Sequence, residues 1–102
     1  MIIYNITFHI EEEVHDQALL HLKDVFINKA IGCGFVSDPR LSYIHRQHEE
    51  GGSSYSLQFR VKNIESLNYW LSTSGQNLFN EIQFLFGNKM VGFTTIMEEI
   101  EL

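Results

Sequence analysis

Two segments of the chain alternate strictly between apolar and polar side chains, which is typical of β-strands with one buried face. The polar positions of residues 2–10 and 54–62 are Asn5, Thr7, His9, Ser54, Ser56, Gln58, Arg60 and Lys62. The intervening apolar positions are predicted to face the core: Tyr4, Ile6, Phe8, Ile10, Tyr55, Leu57, Phe59 and Val61.

Two further strands are predicted from weaker patterns. One spans 41–48, after the turn signal at Ser37-Asp38-Pro39, and leads into a hairpin loop over 49–53 whose two glycines suit a tight turn. The last strand covers about 89–98. Its side chains are predicted to point toward the core at Val91, Phe93, Thr95 and Met97, and away from the core at Met90, Gly92, Thr94 and Ile96.

Two helices are predicted between these strands. The first spans about 14–31 and ends at Gly32, and the second begins at the N-cap Asn63 and ends at Gly87. The second is expected to kink or break near 72–75, because serine, threonine and glycine form helices poorly. A helical period places one stripe of the first helix on the core: Val14, Ala18, Leu19, Leu22, Val25, Phe26 and Ala30.

The predicted order is strand–helix–strand–strand–helix–strand. Right-handed crossovers and a central hairpin fold this order into a ferredoxin-like α+β domain. Its four-stranded antiparallel sheet has the spatial order 4-1-3-2, and both helices cover one face. Residues 1–102 are expected to form this single domain.

The composition indicates a packed protein with an acidic surface. Of 102 residues, 44% are apolar and 13% aromatic, and the formal net charge is −6. A negative surface repels phosphates, so no nucleic-acid partner is expected. No stretch reaches the roughly 18 apolar residues of a membrane span, and the single cysteine, Cys33, fits a reducing compartment. We therefore expect a cytoplasmic protein without a membrane partner.

Three segments resemble a family of short bacterial proteins catalogued only as a domain of unknown function. They are the opening MIIYNITFHI, the hairpin GGSSYSLQF and the closing FGNKMVGFTTIMEEI. The resemblance covers nearly the whole chain and implies a ferredoxin-like fold, similar in outline to the dimeric α/β-barrel proteins. It implies no activity and no catalytic residue.

The candidate site is the sheet face that the helices leave uncovered. The first and third strands are predicted to be neighbours, and their outward side chains could orient a small anionic or carbonyl ligand. These candidate ligand-binding residues are Asn5, Thr7, His9, Ser56, Gln58 and Arg60. The alternative is that they form only the solvated face of a half-buried sheet.

Two functions remain open at this stage. The first is a non-catalytic binding or interaction module acting as a homodimer, with no cofactor. The second is a cofactor-independent enzyme on a small organic molecule, resembling dimeric α/β-barrel monooxygenases or isomerases. In the enzyme, His9 transfers a proton while Gln58 and Arg60 orient the substrate. Such an enzyme needs a cavity of about 300 Å³ on the open face.

The homodimer is predicted from apolar side chains that the first helix and the last strand are predicted to direct away from the core. Leu20, Ile27 and Ile31 form a second stripe on the first helix, and Met90 and Ile96 lie on the outward side of the last strand as predicted above. Leftover apolar groups on so small a domain suggest a subunit interface.

No metal site is predicted. His45 and His48 are three residues apart, so in a strand they point to opposite faces, and a closed zinc site needs about four ligands. Cys33 follows a helix C-terminus, where the helix dipole disfavours a thiolate, so a passive role is expected.

Overall fold

The computed structural model describes residues 1–46 and 51–102. Within these ranges the chain forms four strands and two long helical segments in the predicted order. The strands are β1 (Ile2–Glu11), β2 (Val36–Ile44), β3 (Gly52–Val61) and β4 (Met90–Glu98). Short 3₁₀ turns precede the first helical segment at Glu12–Val14 and follow the second at Gly87–Lys89.

Each long helical segment contains a π-helical stretch between two α-helices. The first segment, α1 (15–32), consists of His15–His21, the π-helical Leu22–Phe26, and Ile27–Gly32. The second, α2 (64–86), consists of Ile64–Trp70, the π-helical Leu71–Gly75, and Gln76–Phe86. Of the kink or break predicted near 72–75, the break is not found, because the helix continues there, but the segment departs from α-helical geometry as a π-helical turn. The predicted N-cap is confirmed, since the Asn63 side chain accepts a hydrogen bond of 2.8 Å from the Ser66 backbone N–H.

The four strands form one antiparallel sheet in the order β2-β3-β1-β4. This is the predicted 4-1-3-2 order, and it confirms the ferredoxin-like fold. The central strands pair without interruption from Ile2 opposite Val61 to Glu11 opposite Gly52.

A continuous core lies between the sheet and the two helices. The predicted core faces of β1 and β3 are confirmed, since their alternate apolar side chains are buried except for the half-buried Tyr55. The largest fully buried side chain is Trp70, whose indole N–H donates a hydrogen bond of 3.2 Å to the Ala30 carbonyl of α1. The helices contribute Ala18, Leu22, Phe26, Ala30, Leu67, Trp70, Leu78 and Ile82 to this core.

The second strand differs from its predicted position. It begins at Val36 rather than at residue 41, and it ends at Ile44. The turn signal at Ser37-Asp38-Pro39 is an irregularity inside the strand, where the pairing with β3 shifts and Asp38 takes a φ of 50°. The end of the predicted strand and the start of the predicted loop, residues 47–50, lie outside the described residues.

The last strand has the opposite faces from those predicted. Residues that pair directly across an antiparallel ladder share a face, and Phe8 of the core pairs with Gly92, while Thr7 of the open face pairs with Phe93. Met90 is accordingly 3% exposed, and Phe93 is 68% exposed. The error arose because β4 carries apolar residues in both phases, so that alternation could not choose between them.

The second stripe predicted on the first helix is not a uniform surface. Ile27 is half-buried and packs against the core, whereas Leu20 and Ile31 are exposed. Of the two last-strand residues predicted to contribute to the same interface, Met90 belongs to the core. A dimer interface built on these five residues is therefore not supported by their positions.

Candidate functional site

Side chains on the helix-free face of the sheet lie in rows across the strands, because neighbouring strands pair antiparallel with residues directly opposite one another. Asn5 pairs with Gln58 and Thr7 pairs with Ser56 across β1 and β3. His9 pairs with Ser54, and Arg60 pairs with Ile3. All six predicted site residues therefore lie on this face, on the two central strands.

A hydrogen-bonded cluster occupies the middle of the face. The Asn5 amide nitrogen donates to the Thr7 hydroxyl at 3.1 Å, and the Ser56 hydroxyl donates to the Asn5 amide oxygen. Asn5 is 8% exposed although no helix covers it. Three of the six predicted residues thus satisfy one another's hydrogen-bonding groups.

His9 belongs to a separate group at one end of the face. Its Nδ1 lies 3.3 Å from the hydroxyl of Ser54, which is buried. The imidazole also lies over Gly52, where an added Cβ would be 3.0 Å from Nε2 and 2.3 Å from the Ile10 carbonyl oxygen. Glycine is therefore required at the start of β3. Ser54 was not predicted as a site residue, although it has the outward phase of Ser56.

Arg60 lies at the opposite end of the face. Its guanidinium forms an ion pair with Glu99, just after β4. Ile3, which pairs with Arg60, is six residues from His9 along β1, a separation of about 20 Å at about 3.3 Å per residue. By the same arithmetic Gln58, opposite Asn5, is about 13 Å along the sheet from His9. His9 and Arg60 are too far apart to contact the same small molecule on one face.

A small hollow lies on the open face of a single chain. It measures about 40 Å³ and is lined by Ile3, Asp38, Arg40, Gln58, Phe59 and Arg60. A site that encloses a small organic molecule needs about 300 Å³ or more. His9 does not line this hollow.

An apolar column on the same face was missed by the sequence prediction. Val91 and Met97 of β4 pair with His9 and Ile3, so they share the open face with Phe93. All three β4 side chains are exposed, and Ile3 beside them is half-buried. Alternation within β4 groups these side chains in one phase, and the register of β4 against β1 is what shows that this phase lies on the open face.

The other residues considered for chemistry lie elsewhere. Among residues 1–46 and 51–102, no group of three or more His, Cys, Asp or Glu side chains could hold a metal ion. Cys33 is exposed, and its thiol donates to the Ala30 carbonyl at 3.4 Å. His48 lies outside the described residues. No helix in the described part of the chain is long and apolar enough to cross a membrane.

Comparison with known proteins identifies the family. A family model described as a domain of unknown function, DUF4286, matches residues 1–100. The chain belongs to this family. No protein of curated function has a matching sequence. The resemblance noted in the sequence is thereby confirmed, and membership assigns no activity.

Solved structures share the fold at low sequence identity. HapK from Hahella chejuensis superimposes with a TM-score of 0.72 at 11% identity, covering 98% of this chain and 93% of its own. An antibiotic biosynthesis monooxygenase gives 0.71 at 14%, covering 99% and 100%. An ethyl tert-butyl ether degradation (EthD) family protein from Bacillus halodurans gives 0.69 at 17%, covering 98% and 100%. At these identities the likeness establishes the fold alone.

Proposed function

We propose that this protein is a non-catalytic homodimeric binding module whose two copies pack with their helix-free sheet faces against each other. The observation that carries this proposal is the exposed apolar column of the open face, Ile3, Val91, Phe93 and Met97. Thr95 lies between Phe93 and Met97 on this face, and exposed apolar side chains grouped in this way on a small domain mark an interaction site. The resemblance to dimeric α/β-barrel proteins supports a second copy as the occupant.

The size of the face suits a homodimer. Strands of nine or ten residues are about 30 Å long, and four strands spaced by about 4.8 Å give a width of about 19 Å. The projected area is therefore about 570 Å², and the accessible area of a side-chain surface is larger. A standard interface buries about 800 Å² per partner, so one sheet face supplies a contact of the usual size.

In this proposal the polar residues of the open face also bind a ligand between the two copies. Face-to-face packing encloses Asn5, Thr7 and Ser56 near the middle of the contact. His9, Gln58 and Arg60 then lie around this centre on both copies. We propose that a small polar or anionic molecule binds between the two sheets against part of this six-residue surface, since His9 and Arg60 of one chain lie too far apart to contact it together. Native mass spectrometry of the purified dimer, with a denatured sample as its control, tests for such a molecule by a mass excess that denaturation removes.

The enzymatic alternative has weaker support. It requires His9, Gln58 and Arg60 to act on one substrate, but their positions along β1 and β3 separate them by about 13–20 Å on a single chain. Two structural neighbours carry the name antibiotic biosynthesis monooxygenase, and their identities of 14% and 15% convey only the fold. We therefore propose binding without catalysis.

The experiment is a measurement of molar mass by light scattering at micromolar concentration. The wild type should have at least twice the mass of one chain, and Phe93→Glu should halve the mass by placing a charge in the apolar column. Phe84→Glu is the matched control, because Phe84 is 88% exposed on α2 and lies away from the sheet. A monomeric wild type, or equal effects of both substitutions, would refute the proposal.

A further inference from the structure

The two edges of the sheet differ in how they are protected from other chains. The β2 edge contains Pro39, the left-handed Asp38, the exposed Arg40 and the shift in pairing. Proline, charge and irregularity are the features that natural sheets use to block edge-to-edge association. The β4 edge has no proline and pairs regularly with β1, and its one charged residue is Glu98 at the end of the strand.

The free hydrogen-bonding groups of β4 can be assigned from its pairing with β1. The Glu99 N–H donates to the Met1 carbonyl at 3.0 Å, in register with the ladder. In an antiparallel pair, successive residues direct their N–H and C=O groups alternately toward the partner strand and away from it. Glu99 points toward β1, and therefore the even-numbered residues point outward. Among the described residues, no strand pairs with this outer edge.

We propose that two copies of this chain pair along β4, antiparallel about a two-fold axis through Thr94, to form a continuous eight-stranded sheet. Thr94 then pairs with the partner's Thr94, and Gly92 pairs with the partner's Ile96. Both pairs consist of outward-directed residues, so both form ladder hydrogen bonds. This interface goes beyond the face-to-face dimer, and together the two contacts give a four-subunit assembly.

The side chains select this register. In this register each of the nine residues of β4, Met90–Glu98, lies opposite a residue of the partner's β4. A slip by two residues leaves two of the nine without a residue opposite them. On the open face the proposed register places Val91 opposite the partner's Met97, so the apolar column continues across the junction. A slip to an axis at Phe93 places Val91 opposite the partner's Thr95 instead, so that an apolar side chain faces a polar one.

The helix-covered side of β4 is also complementary to a second copy. A groove of about 410 Å³ lies between α2 and β4, and its lining is mostly apolar. Gly92 and Thr94 line this groove at the strand edge, and Gly92 has no side chain to fill it. The half-exposed Ile96 of the partner is placed directly beside Gly92. Each copy thus covers the other's groove with one aliphatic side chain.

Disulfide trapping tests the proposed register. In a Cys33→Ser background, Thr94→Cys should form a covalent dimer with diamide as oxidant, because Cα atoms of a hydrogen-bonded pair are about 5.5 Å apart, within disulfide range. Ile96→Cys is the matched control on the same face of the same strand. Its Cα lies about 13 Å along the strand from that of the partner's Ile96. We expect at least ten-fold more covalent dimer for Thr94→Cys.

The same experiment separates this inference from the face-to-face dimer. The Thr94 side chain lies on the helix-covered side, so packing of the open faces does not bring two copies of it together. The cross-link should therefore persist when Phe93→Glu is added. Absence of the cross-link in a protein that light scattering shows to be dimeric overturns the edge pairing and leaves the face dimer intact. Equal cross-linking of Ile96→Cys also overturns it.

Discussion

Replacing Gly75 with alanine should destabilise the protein, although glycine-to-alanine changes inside helices usually stabilise. Gly75 is buried in the π-helical part of α2 and has ordinary helical angles, φ −62° and ψ −45°. No special backbone conformation therefore requires glycine there. The requirement is space, because an added Cβ would lie 2.7 Å from Cζ3 and 2.8 Å from Cε3 of the Trp70 indole.

The magnitude follows from how firmly that indole is held. Trp70 is fully buried and its N–H is bonded to the Ala30 carbonyl. Its ring packs edge-on against Tyr4 and Phe79, with centroids 5.8 and 6.5 Å away. Overpacking a core of this kind costs about 1–3 kcal/mol, and the helical preference for alanine returns up to about 1 kcal/mol. The expected net loss is about 1–2 kcal/mol, or a fall in Tm of about 5–15 °C for a domain of this size.

Chemical denaturation followed by fluorescence measures this loss directly, since Trp70 is the single tryptophan of the chain. Gly32→Ala is the matched control, because Gly32 ends the α-helix Ile27–Gly32 and an added Cβ there meets no atom within 4 Å. The control should leave the free energy of unfolding within about 0.5 kcal/mol of the wild type or raise it. A Gly75→Ala protein as stable as Gly32→Ala would refute the reasoning.

Three further changes test the core and the buried titratable groups. Phe59→Ala should lower the free energy of unfolding by about 3–5 kcal/mol, since this ring is fully buried in the central strand β3, and a loss below about 1 kcal/mol in denaturation would contradict its position. Tyr4→Phe should be neutral or stabilising by up to about 1 kcal/mol, because the buried Tyr4 hydroxyl has no hydrogen-bond partner among the described residues and its burial raises the pKa to about 12. A destabilised Tyr4→Phe protein would show that the hydroxyl has a partner. Burial lowers the pKa of His21 more than the nearby Glu81 raises it, so the unfolded state binds the proton more readily and the wild type should lose stability as pH falls below about 6.5. His21→Gln should flatten this part of the stability–pH curve, and an unchanged curve would exclude His21 as its source.

The sequence sufficed for the fold wherever one phase of a strand was apolar and the other polar. In β1 and β3 the two phases differ completely, so their core faces follow from the pattern, and the strand order follows from the order of elements and right-handed crossovers. In β4 both phases contain large apolar residues, Met90 and Ile96 in one and Phe93 in the other. Alternation therefore does not show which phase of β4 faces the core, and the pairing with β1 determines it.

Local signals misled in two places for different reasons. Ser37-Asp38-Pro39 has turn composition, but pairing with β3 on both sides keeps the segment inside β2 as an irregularity. The residues at 72–75 form helices poorly in isolation, yet the helix continues through them, with the buried Gly75 packed against Trp70. In both cases tertiary contacts outweigh a local preference of about 1 kcal/mol per residue.

The sequence was enough to assign the site residues to one face of the sheet, but it did not give the distances between them. Alternation determines which side chains point outward, whereas the distance between them along the sheet depends on the register. A direct register puts Arg60 opposite Ile3 and His9 opposite Ser54, at opposite ends of the face. The six polar residues therefore form a strip along two strands instead of a convergent pocket.

The hydrogen bonds within this strip bear on how the face can be used. The Asn5 amide already donates to Thr7 and accepts from Ser56. A polar group that is satisfied within its own chain loses little when a second surface excludes water from it. A ligand that needs the same amide must instead break one of these bonds, which costs about as much as the new bond returns. The middle of the face is therefore better suited to being covered by a second sheet than to binding a ligand by itself, and ligand contacts would come mainly from His9, Gln58 and Arg60 around it. On this argument Asn5→Leu, which removes the amide but keeps a similar volume, should retain the dimer mass in light scattering, whereas Phe93→Glu should not.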